Sequence, residues 1–97
     1  MPMYAMLGKF TQKRMEHIKD LPKGLATARS LAKSLGVEFK TILYTMGQYD
    51  VVVIGEAPND EAITKLLLAF GQIGVLRSET LKGFTPDEFV RLISELP

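Results

Sequence analysis

The side chains able to do chemistry are few in this 97-residue chain, and they gather around one short stretch, Gly47-Gln48-Tyr49-Asp50. A phenol sits there beside a carboxylate. Arg77 and Glu79, two positions apart, share a face if they lie on a strand, as an acid with its orienting cation or as an ordinary ion pair. With Lys9 these groups could hold a small polar metabolite through charge-assisted hydrogen bonds, so Gly47, Tyr49, Asp50, Arg77 and Lys9 form the candidate ligand site. The plainer alternative is a turn. Gly47 would then supply a positive φ and Asp50 would bond its own turn, although a turn alone does not require the phenol of Tyr49.

Other chemistry finds little support. General acid/base work needs a titratable group in a perturbing environment. The single histidine, His17, stands among Lys13, Arg14 and Lys19, where an exposed position is expected. Tyr4 and Tyr44 could bond a substrate, but amphipathic strand tyrosines need none, so no catalytic residue is assigned. Cysteine is absent and histidine occurs once, which argues against a metal centre. Gly71 and Gly74 follow a helix instead of opening one, the wrong context for a phosphate-cradling loop, and no cofactor is expected.

Periodicity and punctuation give the elements that carry these residues. "MYAMLGKF" (3–10) reads as a first strand, ended by Thr11 as a helix N-cap. Gly8 inside it suggests a bulge or the close approach of another backbone. A short helical stretch with an apolar stripe of Met15 and Ile18 is expected to kink or restart at Pro22. Leu21, Leu25, Ala28, Ala32 and Leu35 then form one buried face, closed by Gly36 in a left-handed cap. Two β-branched strands, 37–45 and 50–57, flank the Gly47 hairpin. Ile63, Leu66, Leu67 and Phe70 mark a second long helix after the Pro58-Asn59-Asp60 stop. A fourth strand follows over 75–84, and Thr85-Pro86-Asp87-Glu88 opens a terminal helix with a capping-box pattern.

The order β-α-β-β-α-β plus a terminal helix predicts a single α+β, ferredoxin-like domain over 1–97. Its antiparallel four-stranded sheet should run 4-1-3-2, with both long helices on one face. The strands are apolar on both faces, with Val52 and Ile54 opposing Val51 and Val53, and Met3, Ala5 and Leu7 opposing Tyr4 and Met6. A second cover is therefore needed. The terminal helix is too short to supply all of it, so a homodimer or higher homo-oligomer closed sheet to sheet is expected. In this topology the Gly47 hairpin lies near Lys9, Phe10, Thr11 and Arg77. Asp50 is then held by Arg77 or Lys9, or by backbone N–H groups at the helix start.

Charge is uneven, with eight Lys/Arg against three Asp/Glu in residues 1–47 and four against eight in 48–97. Lys13, Arg14, Lys19, Lys23, Arg29 and Lys33 read as a solvated helix face. The third strand lacks the base-stacking aromatics of an RNA-binding sheet, which argues against nucleic acid. No apolar run is long enough to span a membrane and no signal peptide is recognisable, so the cytoplasm is expected.

The segments "KDLPKGLATARSLAKSLG", "TMGQYDVVVIGEAPNDEAITKLLLAFGQIG" and "VLRSETLKGFTPDEF", in that order, resemble the GYD family of small bacterial and archaeal proteins, named for the Gly-X-Tyr-Asp region. The resemblance implies a dimeric α/β-barrel architecture and no defined function. The chain is more distantly similar to the effector-binding domains of Lrp/AsnC regulators, which carry a comparable turn and bind small amino acids near it. It lacks their helix-turn-helix. A small-molecule sensor or carrier is the function expected, with a cofactor-independent monooxygenase-like or dehydratase-like enzyme, working in a cleft between sheet and helices, as the alternative.

Overall fold

The computed structural model describes all 97 residues. The elements are β1 (Met3–Phe10), α1 (Gln12–Glu16), a 3-10 turn (Ile18–Asp20), α2 (Leu21–Ser34), β2 (Glu38–Tyr44), β3 (Val51–Glu56), α3 (Asp60–Ile73), β4 (Leu76–Gly83) and α4 (Pro86–Ser94). All strands pair antiparallel in the order β2-β3-β1-β4, the expected 4-1-3-2 arrangement read from its other edge. This is the ferredoxin-like α+β fold.

Local chemistry accounts for the element ends. Thr11 Oγ1 accepts the Arg14 N–H at 3.2 Å and so starts α1. Pro22 lies in the first turn of α2, where its missing N–H has no partner to lose, and the chain restarts there after the 3-10 turn. Gly36, at φ 75°, lets Val37 N–H reach the Ala32 carbonyl (2.8 Å) while its own N–H reaches Lys33 (3.1 Å), the paired bonds of a Schellman ending. Thr85 and Glu88 form a reciprocal capping box on α4.

The buried core gathers towards the start of β1. Tyr4 and Met6 pack with Ala32 of α2, Val37, Ala57, and Ile63 and Leu66 of α3. Beside it the Tyr4 hydroxyl donates to Asp60, whose carboxylate also meets Lys82 Nζ at 3.1 Å. Burial, then the bond to Asp60, raise the Tyr4 phenol to about 12, and the same bond, with help from Lys82, lowers the Asp60 carboxyl.

Two details depart from the sequence reading. The register of β2 slips between Phe39 and Thr41, leaving Lys40 as an extra residue that bonds Glu38 at 3.1 Å and lies 3.9 Å from Glu56. The slip changes the parity of β2, so Phe39, Ile42 and Tyr44 all turn to the helix side. Gly8 is not a bulge, for β1 pairs without interruption on both sides. A Cβ there would instead lie 2.7 Å from Val51 Cγ1 and 2.9 Å from Leu76 Cδ1, so the close approach comes from side chains.

The second sheet face is uncovered. Leu43 and Leu81 are about half exposed there (56% and 49%), beside half-buried Met3, Ala5, Leu7, Val52 and Ile54. α4 has no buried residue, and Phe89, Val90, Ile93 and Leu96 each remain more than half exposed. The outline, 53 × 30 × 18 Å, has a radius of gyration of 14.9 Å. A compact chain of this length gives about 12.5 Å. No helix is long and apolar enough to cross a membrane.

Candidate functional site

Two places carry the chemistry, one on each side of the sheet. The first is the Gly47 hairpin. Gly47 takes φ 107°, a conformation that disfavours any side chain, and Thr45 closes the loop by donating its N–H to Asp50 O (2.9 Å) and its hydroxyl to Tyr49 O (2.6 Å). Asp50 is committed to backbone. Its N–H donates to Gly8 O at 2.8 Å, and its Oδ2 accepts the Phe10 N–H at 2.8 Å. Of the partners foreseen for Asp50, neither Arg77 nor Lys9 pairs with it. The bond comes from a backbone N–H one residue ahead of the helix cap.

Tyr49 turns towards the open sheet face. Its hydroxyl donates to Glu79 at 2.8 Å, which raises the phenol's pKa, and Lys9 Nζ stands 5.7 Å from the ring centroid. Arg77 is paired with Lys9 across β1 and β4, is exposed, and has no carboxylate within ion-pair distance. Glu79 therefore bonds Tyr49, not Arg77. The hairpin does bring Lys9, Tyr49, Arg77 and Glu79 to one corner, while the side chain of Asp50 is used elsewhere.

The second place is a cleft of about 420 Å³ between the sheet and the helices α1, α2 and α3. That volume falls within the range of small-molecule sites, roughly 300 to 1,000 Å³. Its walls are mostly apolar, with Phe10, Phe39, Ile42, Leu67 and Phe70 prominent, and the rings of Phe10 and Tyr44 meet at 6.3 Å. Lys13, His17, Asp20 and Lys23 also line it, all of them exposed. Arg14 differs. The sequence places it on a solvated basic face, but it is only 9% exposed and lies against the cleft.

The family model of the GYD domain matches residues 4–93. The chain belongs to the GYD domain family. No curated protein and no solved structure matches it.

In this GYD domain the residues of the name are distributed by role. Glycine permits the turn, aspartate bonds the end of β1, and tyrosine joins the charged corner on the open face. The cleft does not emerge from the sequence as a set of residues, because its walls come from all four strands as well as from α1, α2 and α3. One signal for Arg14 is present: Gly24, in the first turn of α2, where a Cβ would stand 2.6 Å from an Arg14 guanidinium nitrogen. Glycine inside a helix costs about 0.5 to 1 kcal/mol relative to alanine, so its presence needs a reason, and room for Arg14 supplies one. His17 lines the cleft without a carboxylate within ion-pair distance.

Proposed function

We propose that this GYD domain is a small-molecule-binding module, a sensor or carrier, that holds its ligand in the sheet–helix cleft and works as a homodimer closed across the open sheet face. The cleft carries the reading. A volume of about 420 Å³ walled by aromatic and aliphatic side chains suits a ligand with an apolar body. The dimer rests on the uncovered face. Leu43 and Leu81 on the sheet and Phe89, Val90 and Ile93 on α4 are bare apolar side chains of the kind that mark a protein–protein interface where they form one patch.

A neutral apolar dye, N-phenyl-1-naphthylamine, tests the cleft. The wild-type protein is expected to take it up saturably at one per chain. Ala28→Trp, which puts an indole into the cleft from α2, should abolish uptake while circular dichroism stays native. Equal uptake by both proteins, or none by the wild type, refutes the cleft site. Sedimentation velocity tests the dimer, which Leu7→Glu on the open face should convert to monomer. A monomeric wild type at tens of micromolar refutes the sheet-faced assembly.

A second reading keeps the ligand at the hairpin corner, where Tyr49, Arg77 and Lys9 would bind a small polar metabolite while Gly47 and Asp50 hold the turn. One observation favours it: neither Lys9 nor Arg77 has a carboxylate partner. Across a sheet-faced dimer the two cations would stand at the subunit boundary.

A further inference from the structure

An arginine that is nine-tenths buried normally meets a carboxylate, because removing its charge from water without compensation is expensive. Arg14 does not. None of the four ion pairs in the structure involves it. Its side chain makes one hydrogen bond, from Nη1 to the His17 carbonyl, at a long 3.3 Å. Nε and Nη2 have no acceptor within the protein, yet neither is sealed from solvent, the one buried side-chain polar atom without a partner being Thr80 Oγ1, so their N–H groups are open to an acceptor from outside the chain.

The surroundings fix where those donors can be met. α1 is anchored by the Thr11 cap, and Thr11 is tied across to the α3–β4 junction by its hydroxyl on Gly74 O (2.7 Å) and its N–H on Val75 O (3.3 Å). That tie holds Arg14 at the edge of the cleft. On the other side, Gly24 lets the guanidinium lie against the first turn of α2. Asp20 is the one acidic residue lining the cleft, and it stands outside ion-pair distance of Arg14. Lys13 and Lys23 line the cleft as well, and Lys13 Nζ is bound to the Ile73 carbonyl at 2.8 Å. Fixed positive charge therefore exceeds negative charge around an otherwise apolar volume.

We infer that Arg14 is the anchor for an anionic ligand group, and that the cleft takes a monocarboxylate with an aromatic or aliphatic body. A single planar fork matches the two oxygens of one carboxylate. The rest of the cleft offers hydrocarbon contact, and one anionic head on an apolar body uses both features. This inference rests on the cleft being the binding site and adds the chemical class of what enters it.

The test is displacement of N-phenyl-1-naphthylamine by 3-phenylpropanoate and octanoate, each compared with its neutral amide of nearly the same shape. In the wild-type protein each acid is expected to compete at least tenfold better than its amide. Arg14→Met should bring acid and amide together while dye uptake persists. Gly24→Ala should narrow the gap too, since the added methyl displaces the guanidinium and not the helix. Equal competition by acid and amide in the wild type overturns the carboxylate assignment and leaves the cleft site standing. Dye uptake with no competition by any of the four compounds overturns the assignment in the same way. No dye uptake overturns both. The acid and amide comparison uses the wild-type protein alone, so its outcome holds whether or not Arg14→Met folds.

Discussion

Replacing Asp50 separates a structural carboxylate from a ligand-binding one. Its Oδ2 accepts the Phe10 N–H at 2.8 Å where the pairing of β1 with β3 runs out, the last register pair being Gly8 with Val51. A hydrogen bond to a charged acceptor contributes about 1.5 to 3 kcal/mol. Asp50 is half-buried, so solvent screening places it at the lower end, about 1.5 to 2 kcal/mol for Asp50→Ala. For a domain of this size each kcal/mol moves Tm by about 4 to 8 °C, giving a fall of about 6 to 16 °C. Asp50→Asn keeps a carbonyl acceptor in place and should lose about half as much. The assay is urea unfolding followed by circular dichroism at one fixed protein concentration, since self-association would shift the midpoint. An Asn variant as damaged as the Ala variant would show that the charge, not the acceptor geometry, matters. An Ala variant within about 0.5 kcal/mol of wild type, by contrast, would refute the structural role of the carboxylate outright.

Other substitutions test the packing. Thr80 Oγ1 is buried without a hydrogen-bond partner, so Thr80→Val should raise stability by about 1 kcal/mol, and a loss in urea unfolding would show that the hydroxyl is satisfied. Gly8→Ala forces a methyl to within 2.7 Å of Val51 Cγ1 and should cost about 1 to 3 kcal/mol, a thermal melt at or above wild type being the contrary result. The Tyr4 phenol, raised to about 12, contributes stability that is fully present below its unfolded value of about 10 and is lost as pH rises through 12. The advantage of wild type over Tyr4→Phe should therefore shrink between about pH 10 and pH 12, and a constant gap contradicts the assignment. Asp60, with its carboxyl lowered, acts at the other end: its contribution is present above about pH 4 and fades as pH falls through its depressed folded value, so Asp60→Asn should flatten the acid limb of the same titration.

How far the chain can be read depends on how local each determinant is. The element order follows from signals within a few residues of each boundary: Thr11 and Thr85 as caps, Gly36 and Gly47 at positive φ, Pro22 at a restart. The two apolar faces of the sheet are visible for the same reason, since period-two alternation needs only the strand itself. The slip at Lys40 is not legible. Residues 37–45 read as one uninterrupted β-branched strand, and only the pairing with β3 shows that one residue is extra. Arg14 reads as solvated because its burial depends on α2 passing ten residues later with a glycine at the point of contact. The charged corner is partly legible, with Tyr49 bonding the Glu79 that the sequence pairs with Arg77.

The family's hairpin and the cleft are on opposite sides of the sheet, yet one residue belongs to both. Phe10 gives its N–H to Asp50 and its ring to the cleft wall, against Tyr44 from the strand that enters the same hairpin. Thr11 follows at once and caps α1, which carries Arg14. Asp50 thus fixes the last backbone position before the chain turns into the cleft's charged edge, while Gly47 sets the turn that brings β2 and Tyr44 alongside. The Gly-X-Tyr-Asp sequence need not touch a ligand to matter for binding one. On the proposed reading its aspartate is a positioning residue. The glycine and aspartate then shape the cleft from behind, and the tyrosine, bonded to Glu79 beside Lys9, is left to the face where a second copy would dock.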